Sequence, residues 1–435
     1  MLFPNNQPDR RRPPFPEKTI LPDIEPCETF TMRCGLRVML LHDPDAEGNR
    51  LEFIMPAGTS WHHNPLTASF AISLLREGTR NYTGPQLTGK LDYHGAFVEL
   101  QASADYAWLT AYTHHSKTLP LVRYLTSMLK EPKFGQRPFN QHRKRQLVRF
   151  RTEMLRTRIL AHRAFKSALY GPASAYGQLI DEENFVQLTP EDLNSFHQNR
   201  FSTETMVLIA AGKINPKCLE AIDNSLSSHR KPTTADNRQI NKDQTSGVIV
   251  VEKADALQAS IVMGRQVVGR QHPDFPALSL LNTILGGYFG SRLMTNLRED
   301  KGYTYGIHSQ IAIQELAAHM TITADVGTSV TSEALKEIRY ELDRLQEEHV
   351  GDEELNLVKN YLSGSYAQAL DGVFSKAQRL RHLAPAGLDL DYYVALLENI
   401  WAIDSAQLKH VAQKYLNHKE MLTVIAGNKS ALQMI

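Results

Sequence analysis

Residues 191–212, EDLNSFHQNRFSTETMVLIAAG, and residues 406–427, AQLKHVAQKYLNHKEMLTVIAG, align without a gap at a constant offset of 215. Leu193 falls on Leu408, Gln198 on Gln413, Met206 on Met421, and Ala211 with Gly212 on Ala426 with Gly427. Each copy reads as an amphipathic helix, a short polar turn and a buried strand ending in glycine. A shared pattern at a fixed offset is the mark of a duplicated unit, so the chain is read as two copies of one domain. Near the midpoint, Ser225 to Gly247 (SLSSHRKPTTADNRQINKDQTSG) is polar and almost free of large apolar groups, which predicts a linker. The domains are therefore placed at 20–224 and 248–435. Residues 1–19 carry five prolines and the triplet Arg10, Arg11, Arg12, and are read as an extended arm without a fold of its own.

The order of elements inside the copies agrees. The first opens with strand-like runs at Leu36 to Leu41 and Leu51 to Pro56, then a helix from about Leu66 to Glu77 stopped by Gly78. Strand candidates return at Phe97 to Ser103 and Asp105 to Tyr112, followed by helical patterns from Thr118 to Leu129 and from Phe139 to Tyr170. The second copy offers a strand at Ser260 to Val268, a helix from Phe275 to Leu285, strands from Tyr303 to Ile313 and Ala317 to Asp325, and a helix from Thr331 to His349. Strands separated by hairpin-length gaps, with helices gathered after them, predict an α+β fold and not a doubly wound parallel sheet. Each domain is expected to be a mostly antiparallel sheet with helices packed on one face.

Composition excludes several classes of function. The chain has 435 residues, 42% of them apolar, enough for two large domains that each bury a core. Forty-eight Lys plus Arg against 47 Asp plus Glu leave a formal charge of +1, so no global field recruits nucleic acid or an anionic membrane. Cys27, Cys34 and Cys218 are too few and too scattered for a disulfide framework or a four-thiolate zinc site. No stretch approaches the ~18 apolar residues of a membrane span, and the first residues lack the apolar core of a signal peptide. A cytoplasmic location is the expectation, with the periplasm as the alternative if a leader was removed.

The second copy contains LGGYFGSRLMTNLREDKGYTYGIHS (285–309), and the first a helix ending LLREGT (74–79) followed some 70 residues on by a cationic helix. With the duplication, these stretches make the chain resemble the insulinase, pitrilysin and mitochondrial processing peptidase family, from about residue 30 to the end. Leu285, Gly286, Gly287, Ser291, Arg292, Leu293, Leu297, Arg298, Glu299, Gly302, Tyr305 and Ser309 fall on that family's pattern G-G-x-x-x-S-R-L-x-x-x-L-R-E…G-x-x-Y-x-x-x-S.

The family's zinc site uses an inverted H-x-x-E-H helix just before a Gly-Thr pair, here Gly78 and Thr79. Counting back, the resemblance puts the first ligand at Ser69, the general base at Ile72 and the second ligand at Ser73. It puts the third, a glutamate on a later helix, near Arg151, and a further glutamate one heptad earlier at Lys144. Every group is lost. Zinc hydrolysis needs about three N, O or S ligands and a nearby carboxylate, which two serines and an isoleucine cannot supply. Lys144, Arg151 and Arg158 recur every seven residues, which on one helix would aim cations where carboxylates should meet a dication. The eight Lys or Arg between Arg143 and Arg163, opposed only by Glu153, are read either as a solvated basic stripe or as a patch that attracts acidic groups.

Arg298 and Tyr305 are different. The pattern places Arg298 in the last turn of a helix, Gly302 as its stop and Tyr305 on the strand that follows. A guanidinium and a phenol brought together can donate hydrogen bonds to a peptide carbonyl and to the oxyanion formed when it is attacked. In the resembling family such a pair reaches toward a zinc centre in the opposite half of the assembly. The resemblance therefore implies a non-catalytic subunit of a two-chain zinc peptidase, binding no cofactor itself and donating Arg298 and Tyr305 to a homologous zinc-bearing partner. It further implies peptide or unfolded-protein substrates. The alternatives are an inert scaffold and a peptide-binding homodimer.

Other candidates carry less. Leu285 to Ser291 has glycines but neither G-K-[ST] nor G-x-G-x-x-G, so close helix approach explains it better than a phosphate cradle. His62 with His63 and His114 with His115 are neighbours expected to point to opposite faces and to be surface or internally satisfied histidines. No G-x-S-x-G occurs, and no cysteine lies in a recognisable nucleophile context.

Overall fold

The computed structural model describes residues 27–227, 236–240 and 245–429; the arm at 1–19 and much of the linker lie outside the described residues. Within them there are two sheets, one in each half of the duplication. The first contains β1 (Glu28–Thr31), β2 (Arg37–His42), β3 (Gly48–Met55), β4 (Phe97–Ala102), β5 (Ala107–His114) and β6 (Val207–Gly212), in the order β1-β2-β6-β3-β5-β4. The second contains β7 (Gly247–Glu252), β8 (Gln258–Val267), β9 (Thr304–Ile313), β10 (Ala318–Gly327) and β11 (Leu422–Gly427), in the order β7-β11-β8-β10-β9.

The repeat seen in the sequence is the spine of both sheets. β6 pairs parallel with β2, Arg37 opposite Val207, and antiparallel with β3. β11 pairs parallel with β7, Gly247 opposite Leu422, and antiparallel with β8. Both repeated strands are buried at every position, so VLIAAG and LTVIAG read as continuous apolar runs and not as alternating ones. The fold is α+β, two mostly antiparallel sheets with their own helices on one face, as expected.

The opposite faces are covered by an exchange. The helix Thr157–Tyr170 of the first half packs on β8 and β11 of the second, burying Ala161, Phe165, Leu169 and Tyr170 against Val262, Leu422, Val424 and Ala426. Reciprocally, the helix Val373–Leu383 packs on β6 and β2, placing Ala377, Leu380 and Leu383 with Met39, Leu41, Ile209 and Ala211. Burying a Leu or Phe side chain stabilises by roughly 1.5–3 kcal/mol, so each exchanged helix ties the halves together by several such contributions.

This exchange corrects one expectation. The helical pattern from Phe139 to Tyr170 is two helices, Gln136–Glu153 and Thr157–Tyr170, interrupted at an extended Arg156. The chain must leave its own half there to reach the other sheet. Neither Gly nor Pro marks the break, and the apolar periodicity runs on through it.

Buried charge reinforces the junction. Glu52, on the face of β3 that the exchanged helix covers, accepts hydrogen bonds from Arg50 and from Arg381 of the Val373–Leu383 helix. Arg50 also donates to the Phe374 carbonyl at 3.0 Å. A second clasp lies at the linker. The Arg238 side chain, 4% exposed, donates to Asp105 of the first half (2.8 Å) and Glu315 of the second (2.6 Å). Tyr176 donates to Asp105 at 2.6 Å and accepts from the Leu316 amide at 3.0 Å.

Candidate functional site

The helix Thr67–Ser73 carries the positions where the resemblance would put a metal site. Its register is fixed by Phe70, Ala71 and Ile72, all buried, so Ile72 belongs to the core. Ser69 donates its hydroxyl back to the Leu66 carbonyl at 2.9 Å. Ser73 opens into a cavity of about 590 Å³ between this helix, the helix Gln136–Glu153 and the edge strand β4. The later helix turns His142, Arg145 and Gln146 toward the cavity.

Lys144 and Arg151, taken from the sequence as the positions of lost carboxylates, do not face it. Lys144 is exposed, and Arg151 lies over Glu182, donating from Nε at 2.9 Å. That hydrogen bond holds the Glu182 carboxyl below its usual range. Arg158 belongs to the exchanged helix and pairs with Asp325 of the second half at 3.2 Å. The seven-residue row of cations therefore never forms one face, because the helix is broken between its second and third members. The cavity-facing positions of this helix are His142, Arg145 and Gln146, and not Lys144 or Arg151.

The residues that line the cavity do not fit zinc. His142 offers one nitrogen ligand, with Arg76 and Arg145 beside it, and the carboxylates of Glu77 and Glu99, which also border the cavity, do not gather with it into a ligand set. Burial, with those two guanidinium groups, pushes the His142 imidazole down to about 4, so it is neutral at pH 7. Among the described residues no three His, Cys, Asp or Glu side chains gather where they could share an ion. Two cations beside a single imidazole oppose a dication on Coulombic grounds.

The 285–309 segment divides into residues that face in and residues that face out. Leu285, Leu293 and Leu297 are buried in the core of the second half. Gly286 lies so close to β9 that a Cβ there would come 2.7 Å from the Ser309 amide nitrogen, so the close approach is to a strand and not to a helix as expected. Ser309 donates to the Asn282 side chain at 2.5 Å, and Arg292 clamps Glu354 through two hydrogen bonds of 2.9 and 2.7 Å. These are scaffold roles. Gly302, at φ +66, ends the turn after Asp300 and lets the chain enter β9. Arg298 is exposed, its guanidinium 4.7 Å from the centre of the exposed Phe289 ring. Tyr305, at the start of β9, is 93% exposed.

The histidine pairs depart from expectation in one respect. The His62 and His63 rings lie 4.1 Å apart and those of His114 and His115 4.4 Å apart, so neighbours share a side. Neither pair lies wholly within a strand: 62 and 63 follow a short helical turn, and 114 ends β5. Alternation does not apply there. His62 Nδ1 is 2.9 Å from the Thr67 hydroxyl, and His114 Nδ1 is 2.9 Å from that of Ser116. Sequence reasoning missed Arg76, His142 and Arg145 as a group, and missed Arg238 as a buried residue of a polar linker. A break in the cationic helix was the missing signal for the first, and nothing local announces the second.

Comparison with known proteins now has a geometry to meet. A sequence profile for the peptidase M16 inactive domain matches residues 187–362, which spans the repeated strand β6 and the whole 285–309 motif. Over that stretch the chain is homologous to the M16 peptidases. It is 21% identical over 354 residues to the uncharacterized zinc protease YmxG of Bacillus subtilis, covering 80% of this chain and 86% of that one. It is 19% identical over 365 residues to the non-peptidase homolog YmxG of Helicobacter pylori, covering 83% and 84%. Matches to mycobacterial relatives span about half of either chain. Among solved structures, a peptidase M16 inactive domain from Pseudomonas fluorescens superposes with a TM-score of 0.85 at 23% identity, covering 92% of this chain and 98% of that chain. These matches, to an inactive domain and to a non-peptidase homolog, support a non-catalytic M16 homologue, in keeping with the serine, isoleucine and serine found where the resemblance puts H-x-x-E-H.

Proposed function

We propose that this M16 homologue is the non-catalytic subunit of a two-chain zinc peptidase, lending Arg298 and Tyr305 to the metal site of a homologous partner. One observation carries the reading. Within a motif most of whose side chains are taken up by the core, by Asn282 or by Glu354, the guanidinium of Arg298, lying over the exposed Phe289 ring, and the phenol of Tyr305 reach solvent, and among the described residues neither has a hydrogen-bond partner. Both groups donate hydrogen bonds, and together they suit a peptide carbonyl and the oxyanion that develops on it. In this reading the zinc belongs to the partner, the substrate is a peptide or an unfolded segment, and the assembly works in the cytoplasm or, after loss of a leader, in the periplasm. No helix of the described residues is long and apolar enough to cross a membrane.

The test is reconstitution. The chain is mixed with a zinc-bearing homologue of similar length from the same genome, and cleavage of a long unstructured peptide is followed, with each protein alone as a control. Arg298→Ala is expected to lower turnover about 10²- to 10³-fold while the partner keeps its zinc. Unchanged turnover in the variant assembly supports the inert-scaffold reading instead. That second reading has its own support in the non-peptidase relative from Helicobacter pylori.

A further inference from the structure

The cavity under Ser73 has lost the means to hold a metal and has acquired a different chemistry. It is about 590 Å³, large enough for an amino-acid side chain, and it opens beside β4, which among the described residues is the edge strand of its sheet and pairs only with β5. Arg76 and Arg145 reach it from two different helical segments. Among the described residues neither has a carboxylate partner, whereas Arg149, Arg151 and Arg158 on the same stretch are each paired. His142 forms part of the wall, neutral at pH 7 and packed edge-on against Phe70 at 4.7 Å.

The opposing charge is small. Glu99 also borders the cavity, yet it sits opposite Thr110 in β5 and so shares the face of Tyr112 and Arg381, across the sheet from the Thr67–Ser73 helix. Val98 and Leu100, on the other parity, pack into the core with that helix. Glu77 is the carboxylate left on the cavity side, against two arginines.

We propose that this cavity is a carboxylate-recognition site: an extended peptide lies along the free edge of β4 and places one aspartate or glutamate side chain between Arg76 and Arg145. Main-chain pairing to an edge strand supplies affinity without sequence preference, and a pocket beside the edge reads one side chain. Guanidinium groups match a carboxylate in charge and in planar geometry, and hydrogen bonds between ionised partners are about twice as strong as neutral ones. The loss of the metal ligands then has a positive content, since the pocket exchanges a cation for the side chains that bind an anion. The inference stands apart from the proposed partner subunit, because the site is complete within this chain.

The experiment uses the full chain and two fluorescein-labelled, blocked octapeptides that differ at one position, Val-Ser-Val-Glu-Val-Ser-Val-Ser and its glutamine twin. Fluorescence anisotropy at low ionic strength is expected to give the glutamate peptide about tenfold higher affinity, and the advantage should shrink with added salt. Arg76→Ser and Arg145→Ser should each reduce the advantage and together abolish it, leaving glutamine-peptide binding in place. Both side chains are exposed, so an unchanged thermal midpoint will verify folding of the variants. Lys144→Ser, on the same helix but away from the cavity, should keep the preference. Equal binding of the two peptides, survival of the preference in the double variant, or its equal loss in Lys144→Ser overturns the proposal.

Discussion

Arg381, on a helix of the second half, donates a hydrogen bond to Glu52, fully buried in the first sheet and 329 positions earlier. Arg50 grips the other oxygen of the same carboxylate, so one buried anion is shared by two cations from different halves of the chain. The halves are joined by specific charge at the point where the exchanged helix lands.

Removing one member of that triad strands a buried charge. Arg381→Ala is expected to destabilise the chain by about 3–5 kcal/mol, whereas replacing Arg50, Glu52 and Arg381 together by apolar residues of similar volume should cost far less. Urea denaturation of the single and triple variants decides it. A single variant within about 0.5 kcal/mol of the parent would mean that water reaches Glu52.

The linker clasp gives a second expectation. Trp61 lies between the guanidinium groups of Arg200 and Arg238, at 3.9 and 3.6 Å from its ring centre. Arg238→Ala should remove one of these contacts and unpair Asp105, which burial already holds above its ordinary carboxylate range. A fall of about 3 kcal/mol in stability should come with a shift in tryptophan emission. Loss of stability without the optical change would place the effect elsewhere.

Acid should weaken the structure through buried imidazoles. Burial pushes His319 down to about 4, and its Nδ1 lies 2.8 Å from the Tyr170 hydroxyl on the exchanged helix. Between pH 6.5 and 4 the unfolded chain binds this proton and the folded chain does not, so stability is complete above 6.5 and declines as pH falls toward 4. The contribution at His319 is roughly 3 kcal/mol, and His142 adds in the same direction. Thermal midpoints from pH 7 to 4 should drop less steeply in His319→Gln; an identical slope counts against this assignment.

Rebuilding the metal motif should fail. Ser69→His, Ile72→Glu and Ser73→His restore the letters of H-x-x-E-H, but Ile72 is fully buried and Arg76 and Arg145 remain beside the site. The variant is expected to lose stability and to carry no stoichiometric zinc by elemental analysis. Full zinc loading would show that the later helix can supply a third ligand despite its arginines.

The duplication, the strand positions and the motif at 285–309 were legible because they rest on local pattern: apolar runs, turn residues and fixed spacing. The parallel pairing of β2 with β6 and of β7 with β11 was not legible, because each joins strands far apart in the chain. What escaped was long-range. A break at Arg156 leaves the apolar periodicity intact, so one helix was read where two exist, and Arg158 was placed in a row that it does not join. Arg238 looks like any polar linker residue, since its burial depends on Asp105 and Glu315, which arrive from distant parts of the chain. Glu52 reads as an ordinary alternating polar position of β3, because Arg381, which joins its strand neighbour Arg50 on the carboxylate, arrives from a helix 329 positions away.

The reciprocal crossing of Thr157–Tyr170 and Val373–Leu383 has a practical corollary. Each lobe supplies a piece of its sibling's interior, so neither is a free-standing module, and expression of either fragment by itself should yield insoluble material. Severing the polypeptide at the connector, by contrast, should leave a nicked species that stays associated. Such a molecule is a ready starting point for a split reporter whose signal requires both fragments to be made in the same cell.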